Sequence, residues 1–244
     1  MPATPYTQIA PSAQYGSLHF KSADHPAAHT LRRPLAPPAQ PDDIEPTVSL
    51  MTVSPARIDA RVSVEAFDAF VNLPENAETL FEYIGGELTP VPSNAYASKI
   101  AARILGFIFV YLLEHDLGHL TGEAGSYRVS GERYVPDVAF ISRERQPEIA
   151  QEGYNLNPPD LAVEVQFPLS VKTQQRLPIK LANYLAAGTT VWVVYPTDDR
   201  KDQRIEVYRP GQPVEVLRTT EETVVGGDNI LPGLKISLKD IFQS

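Results

Sequence analysis

Between residues 93 and 196 the sequence changes periodicity in a fixed order, helix, three strands, helix, strand, and this order constrains the fold more than any other feature. Ser93 or Asn94 is placed to cap a long helix, "AYASKIAARILGFIFVYLLEHD", in which Ile100, Ile104, Phe107, Ile108 and Tyr111 recur at helical spacing. Gly118 is its expected stop. Strands are predicted over about 119–130, 134–141 and 161–167. Pro178 is predicted to open a second helix, "PIKLANYLAAG", which ends at Gly188. The β-branched run "TTVWVVYP" then reads as a central strand. The fold class is mixed α/β (an α+β mixed sheet), with helices packed against a central sheet.

The flanking sequence adds smaller elements. Ser63 is a plausible cap for a short helix, "VEAFDAFVNL", with Val64, Phe67, Phe70 and Val71 on one face. In "FEYIGGEL", Gly85-Gly86 is a two-residue hairpin signal. After residue 196, "QRIEVYR", "VEVLR" and "GLKISLKDIF" predict a small antiparallel addition and a short terminal helix. Residues 1–50 hold nine of the 23 prolines and lack sustained periodicity, which predicts a disordered extension to a single domain spanning 51–244. Met51 is an alternative start.

The net charge of −9 argues against a broad basic surface, though not against a local basic groove. The absence of cysteine excludes disulfides, thiolate metal sites and a cysteine nucleophile, and fits a reducing, cytoplasmic setting. The longest apolar stretch, "ILGFIFVYLL", is too short to span a bilayer, so no membrane association is expected. A homodimer is expected only from the frequency of two-fold oligomers.

Two acids interrupt apolar strand patterns: Asp137 in "RYVPDVAFIS" and Glu164 in "PPDLAVEVQFPLS". An ionised carboxylate between Val163 and Val165 is costly without compensation. Either both side chains reach solvent from a half-exposed sheet, or they share a face and a divalent cation, for which Mg²⁺ is the hard-ligand choice. No Asp or Glu occurs from Gln166 to Thr197, while Lys172, Arg176 and Lys180 fall in that window. Basic residues beside a carboxylate pair suit a phosphodiester substrate. A helix beginning at Pro178 would leave Lys172 and Arg176 in a loop and Lys180 in the first turn. A solvated lysine is the plain alternative.

The blocks "FEYIGGEL", "YVPDVAFIS", "PPDLAVEVQFPLS" and "KLANYLAAGTTVWVVYP", in this order and with the ending "ILPGLKISLKDIF", resemble the Uma-type putative restriction endonuclease family of the PD-(D/E)XK nuclease-like superfamily. The resemblance runs from about Val62 to Phe242. It implies a restriction-endonuclease-like core and a Mg²⁺-dependent endodeoxyribonuclease, with Mn²⁺ able to substitute and DNA as partner. It also implies that Asp137 and Glu164 bind the metal. Gln166 stands where the superfamily keeps a lysine, and Lys180, or else Lys172, is the implied substitute. Glu82 and Glu87 match acids of the family's first hairpin, with Glu87 taken as the supporting residue. Phe167 and Arg176, and the lack of a histidine early in the long helix, depart from the family's pattern. These departures motivate the alternative of an inactive nuclease-fold protein that binds nucleic acid or a protein. A metal-free hydrolase using the two acids as an acid/base pair is a third reading.

Other signals carry less. His115 and His119 have the spacing of a helical zinc pair but no accompanying glutamate. "DDRKDQR" reads as a solvated hairpin turn.

Overall fold

The computed structural model describes residues 61–92, 94–167, 171–196, 203–219 and 222–243, with the backbone alone over 171–174. The predicted extension over 1–50 and most of "DDRKDQR" lie outside these residues.

The first helix, α1 (Val64–Val71), is capped by Ser63 Oγ, which accepts from the Ala66 amide, and it buries Phe67. Strands β1 (Phe81–Ile84) and β2 (Glu87–Pro90) form the hairpin expected from Gly85-Gly86. Both glycines have positive φ, 61° and 88°, which the tight turn between paired Ile84 and Glu87 requires.

Helix α2 (Ala95–Glu114) is capped by Asn94, whose Oδ1 accepts from the amides of Tyr96 and Ala97. It ends at Glu114, earlier than expected, and Gly118 instead opens strand β3 (Gly118–Thr121). Gly118 is needed there because a Cβ would collide with the carbonyl of Ile141 on the neighbouring strand. At 20 residues, α2 is long and apolar enough to cross a membrane by length and composition, unlike the shorter run within it. One face is buried through Ile100, Ala101, Ile104 and Ile108, while Phe109, Val110 and Leu113 are exposed.

The expected strand over 119–130 is two strands in different sheets. After β3 the chain turns at Gly122–Gly125 and forms β4 (Tyr127–Val129), which pairs with β5 (Glu132–Tyr134). The expected 134–141 strand divides likewise into β5 and β6 (Val138–Ser142). Strands β1, β2, β4 and β5 make a four-stranded sheet in the order β2-β1-β5-β4.

The larger sheet holds β6, β7 (Leu161–Val165) and β8 (Thr190–Tyr195), with β9 (Arg204–Tyr208) and β10 (Glu215–Arg218), in the order β10-β9-β8-β7-β6-β3. Strand β7 runs parallel to β8, and the crossover between them is α3 (Val171–Ala186). The sequence α2-β3-β6-β7-α3-β8 thus reproduces the expected order within one sheet, with β4-β5 as an excursion. Strands β9 and β10 are part of the expected antiparallel addition, and they extend this sheet at the β8 edge. The separate hairpin is β11 (Val224–Gly227) with β12 (Leu231–Ser237), followed by the terminal helix α4 (Leu238–Phe242).

Helix α3 starts seven residues before Pro178 and runs through it. Proline cannot supply the amide that would bond residue 174, but Pro178 is exposed, so water can satisfy that carbonyl. Lys172 and Arg176 are therefore helical rather than in a loop, and Lys180 lies well inside the helix rather than in its first turn. The Lys172 side chain is outside the described residues.

Alternation along β7 divides the core. Leu161, Val163 and Val165 pack with α2, α4 and β12 on one face of the sheet. Ala162 faces the second cluster, which includes Tyr134, Tyr184 and Ile84. Glu164 has the parity of Ala162 and meets α3 on that second face.

Candidate active site

Asp137 sits one residue before β6, and its amide donates to the Val163 carbonyl, which continues the β6–β7 ladder. Its Oδ2 accepts from the Val165 amide at 2.6 Å. Glu164, in the middle of β7, is only 5% exposed. The half-exposed-sheet reading therefore fails for Glu164, which is a buried acid that requires compensation.

Lys180 supplies that compensation. Two turns into α3 it reaches inward, 6% exposed, with Nζ 2.6 Å from Glu164 Oε1 and 2.8 Å from Glu82 Oε1. Tyr184, one turn further along the same helix face, donates its hydroxyl to Glu164 Oε1 at 3.0 Å. Glu82 Oε1 also accepts from the Val135 amide at 2.9 Å. The Tyr134 ring lies beside the ammonium, 5.4 Å from its centroid, and Asn183 donates to the Tyr134 hydroxyl. The plain alternative of a solvated Lys180 is thus excluded.

Glu82, rather than Glu87, is the hairpin acid that joins the cluster. It alternates with Ile84 on the inward face of β1, and that shared parity with a buried isoleucine was the available signal. Glu87, taken as the supporting acid, lies outside the cluster and pairs with Arg176 Nη2 at 3.0 Å, with its side chain 45% exposed. Gln166 lines the same cavity as Glu164, and its amide continues the parallel ladder by donating to the Val194 carbonyl. His115 stacks on Tyr111, while His119 bonds the Pro147 carbonyl, so the two histidines have separate partners.

These groups open onto a cavity of about 520 Å³, lined by Glu82, Asp137, Glu164, Gln166, Arg176 and Lys180 among others. Among the described residues the cluster is over-supplied with acid, with Glu82, Asp137 and Glu164 against one ammonium, that of Lys180. Burial raises the Asp137 carboxyl to about 6, despite the Val165 amide and Lys180 pulling it down. Glu164 is also raised, first by burial and then by Glu82 and Asp137, against the opposing pull of Lys180. Burial alone would lower Lys180, but Glu164 and Glu82 hold it well above its ordinary value, so it stays charged.

A carboxyl raised on folding stabilises the protein below its unfolded pKa and loses that contribution as pH rises through the folded value. Asp137 should therefore weaken the metal-free protein as pH climbs from about 4 to about 6. Thermal unfolding from pH 4.5 to 7.5 should show this decline, and Asp137→Asn should flatten part of it.

The donor set suits a hard divalent cation. Among the described residues no protein donor occupies Asp137 Oδ1 or Glu164 Oε2, and both carboxylates line one cavity. A bound cation would also offset the surplus of acid. No group of three or more His, Asp or Glu able to hold an ion exists among the described residues. An ion here would thus complete its shell with water, backbone or substrate oxygens, as Mg²⁺ commonly does.

The architecture is a mixed α/β domain whose sheet presents a buried carboxylate–lysine cluster to a cavity. Residues 67–239 match the Uma2 family, described as "Putative restriction endonuclease", and the chain belongs to that family. The fold also resembles the crystal structure of a putative nuclease belonging to DUF820 from Anabaena variabilis, with a TM-score of 0.60 and 26% identity, covering 72% of this chain and 96% of that one. No curated protein matches the chain.

Proposed function

We propose that this protein is a Mg²⁺-dependent endodeoxyribonuclease with a restriction-endonuclease-like core, and that Asp137 and Glu164 hold the ion. The observation that carries the reading is Lys180. Its ammonium lies 2.6 Å from Glu164, although Gln166 occupies the strand position where the superfamily keeps its lysine. A lysine delivered from α3 would serve in its place, which weakens the case for an inactive relative.

Mg²⁺, when bound, would supply Lewis acidity toward the scissile phosphate and promote attack by water. The side chains then have distinct roles. Lys180, held charged, cannot accept a proton near neutrality; it orients Glu164 and can neutralise charge developing on the phosphoryl oxygens. Glu82 anchors Lys180 from the hairpin, and Tyr184 fixes Glu164 from α3. The Val165 amide sets the rotation of the Asp137 carboxylate.

Incubation of supercoiled plasmid with the purified protein tests the reading. Nicked or linear product should form with Mg²⁺ or Mn²⁺ and disappear with chelator. Cleavage that persists in chelator would point instead to metal-free acid/base hydrolysis. No cleavage under any divalent cation would favour a binding protein on a nuclease fold.

A further inference from the structure

Among the described residues, two buried side-chain polar atoms have no hydrogen-bond partner: the Thr89 hydroxyl and Arg176 Nε. Buried polar atoms are nearly always paired, so orphans call for an explanation. Both residues line the cavity that holds Asp137, Glu164 and Lys180. Nε–H can only donate, so what Arg176 lacks is an acceptor.

The present partner of Arg176 does not fill that need. Its Nη2 rests on one oxygen of Glu87, an acid 45% exposed at the rim, while the Arg176 side chain is 18% exposed. A pair with so exposed an acid is weak. A guanidinium is matched by two oxygens presented side by side, as a phosphate presents them, so that Nε and an Nη bond in parallel. Among the described residues Arg176 is also the second cation lining the cavity, and the first, Lys180, is already committed to Glu82 and Glu164. Among the described residues, an incoming anion therefore has one under-satisfied cation to meet.

We propose that Arg176 is the residue of this cavity that grips the nucleic-acid backbone. A phosphodiester group draws the guanidinium away from Glu87 and takes both Nε and Nη2, with the Thr89 hydroxyl available as a further donor. This assignment rests on the reading of the cavity as a DNA phosphodiester site. It gives a positive role to a residue that departs from the family's pattern.

The experiment is fluorescence anisotropy of a labelled DNA duplex titrated with the full chain, in Ca²⁺ and across a range of salt. Arg176→Gln should weaken binding at least about tenfold and lower the slope of log affinity against log salt by about 0.9, the loss of one phosphate contact. Glu87→Gln, which removes the same ion pair from the other side, should bind as well as the natural protein or better. Natural affinity and slope in Arg176→Gln would overturn the proposal. So would equal losses in both variants, because the ion pair would then be structural. If the natural protein neither binds nor nicks DNA, the nuclease reading fails as well, a pattern distinct from intact cleavage with an indifferent Arg176.

Discussion

Lys180→Met is expected to lower the stability of the protein by about 3–5 kcal/mol at pH 8, the usual cost of stranding the partners of a buried ion pair. The corresponding drop in Tm is roughly 10 °C for a domain of this size. The lysine carries two carboxylates at once: the side chains of Glu82 and Glu164 are only 9% and 7% exposed, and both lie within 2.8 Å of Nζ. Methionine fills much of the same volume but leaves these acids facing each other without a cation. Without Lys180 the Glu164 carboxyl, already raised by burial, should take up a proton more readily, so the deficit should shrink as pH falls toward 5. Thermal denaturation at pH 8 and pH 5 measures both effects. A Tm within about 2 °C of the natural protein at pH 8 would mean the cluster is less buried, or less charged, than described.

Asp137→Asn should act in the opposite sense on stability while removing activity. The asparagine carbonyl can still accept from the Val165 amide, so the local geometry is retained. What is removed is a negative charge disfavoured on folding, since the carboxyl is raised to about 6. That shift, discounted for the partial exposure of the side chain, corresponds to about 2 kcal/mol gained at pH 8 without metal. Cleavage of DNA should fall at least about a hundredfold, or ~2.7 kcal/mol of transition-state stabilisation. A more stable but inactive variant marks a residue retained for function at the expense of the fold. Lost stability with unchanged cleavage would mark Asp137 as structural. Cleavage assays and calorimetric scans on one preparation provide both readings.

The strand acids were legible because periodicity exposes them: a charge inside an alternating apolar run is an anomaly wherever the strand lies. The Gly85-Gly86 hairpin was legible for a similarly local reason, because two consecutive glycines allow the positive φ values found there. The position of Lys180 was not, because Pro178 is a strong local signal for a helix start and its tolerance depends on facing solvent, which only the assembled fold determines. The choice between Glu82 and Glu87 was lost in the same way. Both flank one turn, and only the docking of β1 against β5 and α3 makes one an inward residue. The division of residues 119–134 among three strands depends on a second sheet that accepts β4 and β5, a pairing between segments distant in sequence that local pattern does not report.

In the proposed site, Asp137 and Glu164 together bind one divalent cation. Titration of Mn²⁺ into the protein, with free ion followed by its electron paramagnetic resonance signal, tests this most directly. One ion should bind per chain near pH 8, and both Asp137→Asn and Glu164→Gln should abolish that binding. No ion bound by the natural protein, or binding undiminished in both variants, would contradict a shared site.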